Sequence, residues 1–383
     1  MGQTTFDAPV ATAAPQGAAS AMRRSHLFGP WRDALLLGGA SVLLLPVALL
    51  TPAEWVPSVG LTMMLLANLI NHPHFAHSYQ IMYRGFGTRL ADPALPRALR
   101  IDALIAGVFV PAGLLLLLGG AIALGEIRVL GIAGNLMGFL VGWHYVKQGY
   151  GILMVDAALK RRFFTEREKR ILLLNAHVVW LASWLAVNTA LSRGAMWGVE
   201  YLVLGLPEEV TWAGIAAASA TGAMTLWMLL RRGAPPPWIG LLAYGVSIYA
   251  WLAFVSIHPA WLLVVPALHS LQYLAVVWRF EWNRTGAAPD AAEPVPSPLL
   301  GRVLKLRRHA RMATFVLAGI VIGFAMFWAV PLAITAMTAA PETMRHALPV
   351  LFAAWVFVNV HHYFIDSVIW RSDNPDTRRH LFA

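Results

Sequence analysis

The sequence contains no cysteine, and charged residues make up only 13% of its 383 positions. The first absence excludes disulfides, thiolate-ligated zinc, iron–sulfur clusters and a thiol nucleophile. Any metal must therefore be held by nitrogen and oxygen. The second is about half the ~25% charge of a soluble domain, and with 58% hydrophobic residues it marks an integral membrane protein. Acidic residues are scarcer than basic ones, 19 against 29, for a net charge of +10. The excess Lys and Arg lie in short loops between apolar runs, which is a positive-inside pattern and not a nucleic-acid surface. A dinucleotide fingerprint is also missing. The glycines of 131–138 sit inside an apolar run with no strand before them.

What is present is a series of apolar runs at 33–51, 56–82, 101–124, 129–157, 169–191, 209–230, 236–257, 259–280, 311–338 and 346–370. Each is close to the ~20 residues that cross a bilayer as a helix. The expected fold is an all-α, polytopic transmembrane helix bundle of about ten spans. Sixteen Trp and nine Tyr suit the aromatic belts at its two interfaces. Residues 1–25 read as a disordered tail with no signal-peptide core before Arg23-Arg24, and 26–383 as a single membrane domain. Asn283–Pro298 reads as its one long linker, and Leu202–Leu206, too short to cross, as an interfacial or re-entrant piece. Basic clusters follow every second run: Arg84 to Arg100, Lys160 to Arg170, Arg231-Arg232, the 279–311 loop, and Arg371 to Arg379. The alternate loops are nearly free of Lys and Arg. This predicts both termini in the cytoplasm and a multi-pass protein of the inner (cytoplasmic) membrane.

Nine of the thirteen histidines fall within these runs. Polar groups at membrane depth are costly unless paired or bound to a metal. His74 and His77 precede Arg84, His269 precedes Arg279, and His361 and His362 precede Arg371 by seven to ten residues. At ~1.5 Å per residue they lie roughly 10–15 Å from the cytoplasmic boundary. His144 is somewhat deeper, with Lys147 beside it. Spans carrying His74, His144, His269 and His362 run in the same direction, so their imidazoles can meet at one level. His362 and Asp366 are four apart and share a helix face, a spacing that suits a ligand with a carboxylate partner. His144 and Gln148 share a face in the same way. Pro73 is expected to kink the helix at the first histidines. The candidate metal ligands are His74, His77, His144, His269, His361 and His362, with Asp366, Gln148 and Tyr363 as candidate catalytic or orienting groups. His72, His177 and His258 read as packing, hydrogen-bonding or interfacial residues. An all-nitrogen and carboxylate set suits non-haem iron, one or two ions, or another transition metal. Haem-b electron transfer and a proton-coupled transporter are the alternatives that use the same histidines.

The segments Pro73-His74, His144, His269 and Val360-His361 with Asp366 resemble those of the Brp/Blh-type bacterial carotene oxygenases. The chain differs in carrying Ser78 and Gln148 where that family has acidic partners, and in having two or so extra spans. The resemblance implies a non-haem iron oxygenase acting with dioxygen on a lipid-soluble, carotenoid-like substrate that enters from the bilayer. The His-rich 72–77 stretch and His361-His362 are also similar, more weakly, to the histidine boxes of membrane di-iron hydroxylases and desaturases, whose repeated HxxHH is absent here.

Overall fold

The computed structural model describes residues 25–189, 194–252, 261, 263–286, 298–338, 342–344 and 346–382. The expected N-terminal tail, His258 and most of the 283–298 linker lie outside these residues. The chain is almost entirely helical. In hydrocarbon every backbone N–H and C=O must be satisfied internally, and a helix does this within one segment. Among the described residues six helices are long and apolar enough to cross a membrane: α1 (Pro30–Leu50), α2 (Ala53–Tyr83), α3 (Arg97–Ala123), α4 (Ile127–Lys160), α6 (Glu209–Leu230) and α9 (Leu306–Met337). Between and beside them lie α5 (Glu166–Ala186), α7 (Trp238–Ala250), α8 (Val264–Gly286), α10 (Pro349–Ile369) and the short α11 (Pro375–Leu381).

Burial runs opposite to that of a water-soluble protein. Leu116 and Met337 are 78% and 84% exposed, whereas His74, His77, His269 and His362 are at most 1% exposed. An apolar exterior around a polar interior is what a bilayer solvent selects. Helix α10 is central and packs on α2, α3, α4 and α9. Its buried face includes Phe352, Val356, His362, Ile365, Asp366 and Ile369.

The basic helix ends meet at one end of the bundle. Arg84 at the end of α2 pairs with Glu281 of α8 at 3.0 Å, and Arg232 after α6 pairs with Glu168 of α5 at 3.1 Å. Arg371 after α10 pairs with Asp102 of α3. Helix α5 starts there with a capping box, Thr165 and Glu168 bonding each other's backbone N–H groups.

Irregular turns decide where polar side chains attach. Helix α2 is broken at residues 68–70 and restarts at Asn71. The kink expected at Pro73 is thus a break one turn earlier, because the proline ring excludes the carbonyl four residues back. Helices α1, α3, α7 and α9 each contain a π turn, at Leu35–Gly39, Ile105–Phe109, Val246–Ala250 and Ala325–Ala329. In α3, Pro111 cannot donate to Gly107 O, which instead accepts the Tyr83 hydroxyl at 2.8 Å. The neighbouring Ala106 O accepts from His361 Nε2 at 2.9 Å.

One small sheet interrupts the all-α pattern. Ala195–Met196 pairs antiparallel with Val199–Glu200 across Trp197 and Gly198. Gly198 has φ +79°, and a Cβ there would stand 2.6 Å from His346 O, so only glycine fits. This hairpin and the Leu202–Leu206 stretch lie over α4: Leu202 N–H donates to Gly131 O at 3.2 Å.

Candidate metal centre

Four helices bring four imidazoles and one carboxylate together. His74 comes from α2 just after its break, His144 from the middle of α4, His269 from α8, and His362 with Asp366 from α10. His362 Nε2 and His144 Nε2 are 3.2 Å apart. Asp366 Oδ2 lies 3.4 Å from His362 Nε2 and 3.8 Å from His144 Nε2. His74, His144, His362 and Asp366 each present one donor atom, all within 4.8 Å of one another. The His269 ring stands edge-on to His74 and to His144, with both centroid separations 5.0 Å.

These groups fit a metal ion on two counts. Neighbouring donors about 2.1 Å from one ion stand about 3.0–3.4 Å apart, which matches the two shortest separations. The second count is the set of unpartnered atoms. Among the described residues His74 Nε2, His362 Nδ1 and both nitrogens of His269 are buried with no hydrogen-bond partner. Each such atom costs about 1–3 kcal/mol when nothing replaces water. A cation can take one nitrogen from each ring, which would account for His74 Nε2 and for one nitrogen of His269.

The surrounding hydrogen bonds set the tautomer and orientation. The Ser270 hydroxyl donates to Asn71 Oδ1 at 2.8 Å, so its oxygen is free to accept from His74 Nδ1 at 3.1 Å. His74 is thereby protonated on Nδ1 and presents a bare Nε2 to the cluster. Asp366 Oδ1 accepts from Ser78 Oγ and from the Tyr273 hydroxyl, each at 2.9 Å, which turns Oδ2 toward His362 and His144. The His269 ring lies flat on Tyr145, centroids 3.9 Å apart. Removing the His74 brace by Ser270→Ala is expected to weaken metal affinity about 10–100-fold. Chelator titration of the purified variant measures this, and an unchanged affinity would remove the orienting role.

Not every expected residue is in the cluster. His77 stacks on Phe315 at 4.2 Å, donates to Gln80 Oε1 at 2.7 Å and accepts from Trp278 Nε1 at 3.4 Å. It faces α9, packed against Phe315 and Gly319, and not the cluster. His361 donates to Ala106 O and accepts from the Tyr79 hydroxyl at 2.8 Å. Adjacent residues on a helix point about 100° apart, so only one of His361 and His362 can face the centre. The one that does is His362, four residues from Asp366. The ligand position assigned by resemblance to His361 is therefore taken by its neighbour.

Gln148 donates to His269 O at 3.0 Å and Gln272 Oε1 at 3.1 Å, tying α4 to α8 without touching an imidazole. Tyr363 stands beside His144, ring centroids 6.3 Å apart. His72 stacks on Phe327, and the exposed His177 donates to Leu173 O of its own helix. The sequence reading missed the roles of Ser78, Ser270 and Tyr273. Ser78 is four residues from His74 and Tyr273 four from His269, the spacing that places residues on one face.

One side of the cluster opens into a cavity of about 1300 Å³ reached by His144, Tyr273 and Asp366, with Lys147, Gln148 and Tyr363 also on its wall. Comparison with protein-family models, with curated proteins and with solved structures finds no match.

Proposed function

We propose that this chain is a membrane-embedded, metal-dependent oxidoreductase, with non-haem iron at the His74–His144–His362–Asp366 centre, acting with dioxygen on a lipid-soluble substrate. The observation that carries this reading is the convergence of bare, buried imidazole nitrogens beside a carboxylate, in a chain without thiolates. His74, His144, His362 and Asp366 would hold the ion, and His269 stands as the adjacent fifth donor. A metal of this class supplies the redox chemistry when bound.

The chain's own residues supply the rest. Ser270 and Asn71 hold His74 in its ligand tautomer. Tyr273, hydrogen-bonded to Asp366 and bordering the cavity, is placed to pass a proton between the carboxylate and a bound substrate. The resemblance to carotene oxygenases agrees with three of the four histidine positions and with Asp366. Ten spans in the inner membrane, both termini cytoplasmic, complete the proposal, supported by the meeting of the basic helix ends. The four imidazoles crowd the space that a porphyrin ring would need, which favours non-haem iron over haem.

The test is metal and absorbance analysis of detergent-purified protein, wild type beside His269→Ala. About one iron per chain without a Soret band, reduced in the variant, is the expected result. A Soret band would replace this reading with haem, and no stoichiometric metal in either protein would overturn it.

A further inference from the structure

The cavity that reaches the centre is larger than the ~300–1,000 Å³ of ordinary small-molecule sites. Its wall includes Met154, Phe163, Phe164, Val276, Phe364 and Leu381, a surface suited to an alkyl chain. Its cations are accounted for with one exception. Lys169 pairs with Glu166 at 2.6 Å, Arg371 pairs with Asp102 and Asp373, and Arg378 donates to Ser372 O. Lys147 has no hydrogen bond or ion pair among the described residues. The charges that act on it across the cavity are those of Asp366 and Arg371. Asp366 is already engaged, by Ser78 and Tyr273 at Oδ1 and by the two imidazoles at Oδ2. A half-buried ammonium on a cavity wall, with no direct ion-pair or hydrogen-bond partner, is placed to take an anionic partner that arrives from outside the chain.

Lys147 is three residues beyond His144 on α4, so the two side chains rise from the same face. A group bound by Lys147 therefore lies within a helical turn of the metal centre.

We infer that the cavity binds a long-chain amphiphile with a single anionic headgroup, held by Lys147 so that the polar end of the molecule, and not the middle of its chain, lies against the histidine cluster. This rests on the reading of the centre as a metal site acting on lipids. It narrows the substrate class from any lipid-soluble molecule to a fatty carboxylate or an alkyl phosphate.

The experiment is titration calorimetry of purified full-length protein with hexadecanoic acid, hexadecyl phosphate and hexadecanol, with metal content measured on the same samples. At least one anion is expected to bind wild type about tenfold or more tighter than the alcohol, a difference of about 1.4 kcal/mol. Whichever anion is tighter identifies the headgroup as carboxylate or phosphate. Lys147→Met should abolish the preference and Lys147→Arg retain it, both with unchanged metal content. Equal binding of alcohol and both anions to wild type would overturn the inference, as would a preference that survives in Lys147→Met. The wild-type comparison decides the matter even where a variant fails to fold. Absence of metal in wild type would instead refute the metalloenzyme reading, while the anion preference still decides the role of Lys147.

Discussion

Replacing His362 with alanine is expected to strip the centre of its metal and abolish turnover. His362 Nε2 is the atom nearest to both other α10/α4 donors, 3.2 Å from His144 and 3.4 Å from Asp366 Oδ2. Its loss removes one donor of a four-residue set and the nearer of the two imidazoles that face Asp366 Oδ2. Loss of a mere orienting partner already lowers metal affinity about 10–100-fold, and loss of a ligand should exceed that. Metal content per folded chain, read after gel filtration, is the measurement. The contrast that matters is His361→Gln. His361 is next in the chain but bonds Ala106 O and Tyr79, so this variant should keep its metal. His177→Phe, altering an exposed ring, should keep it as well. A His361 variant that loses metal while His362→Ala retains it would reverse the assignment made here from helix geometry.

The second large effect is expected at Gly323. Gly319 and Gly323 form a small-xxx-small pair on α9 that lets it approach the histidine turn of α2. A Cβ at Gly323 would lie 2.7 Å from the backbone carbon of His72 and 2.8 Å from its oxygen; one at Gly319 would lie 2.3 Å from the His77 ring. Backbone cannot move aside as a flexible side chain can. Gly323→Val should therefore push α9 and α2 apart, at a cost of about 3 kcal/mol or more. The displaced turn carries His74 two residues further on, so metal content should fall along with the thermal midpoint. Unfolding of the detergent-solubilised variant followed by tryptophan fluorescence reads the first, and metal analysis of the folded fraction reads the second. A midpoint equal to wild type would show that the two helices do not depend on this contact.

Much of the architecture is written in composition and periodicity. Apolar runs of spanning length become helices because a bilayer leaves the backbone no other partner, and the helices of the structure follow the runs in order. The clustering of His74, His144, His269 and His362 was legible from their distances to the basic helix ends, since helical rise converts sequence separation into depth. The pairing of His362 with Asp366 follows from a four-residue spacing on one face. Two candidate ligands were misplaced because depth says nothing about azimuth. His77 and His361 lie near the same level as the others, but their directions around the helix axis are set by which neighbour packs there. Gly319 admits α9 against His77, and the π turn before Pro111 leaves a carbonyl free for His361.

The amino-acid sequence by itself therefore determined the solvent, the helices and the level at which polar groups gather, because each depends on residues close in the chain. Only the tertiary structure decided which imidazoles point inward, which serine and tyrosine orient them, and that Lys147 borders a large cavity without a direct ion-pair partner. Those are contacts between helices separated by up to hundreds of residues, such as Ser78 with Asp366. They are fixed by glycine contacts, π turns and interhelical hydrogen bonds whose partners no local pattern identifies.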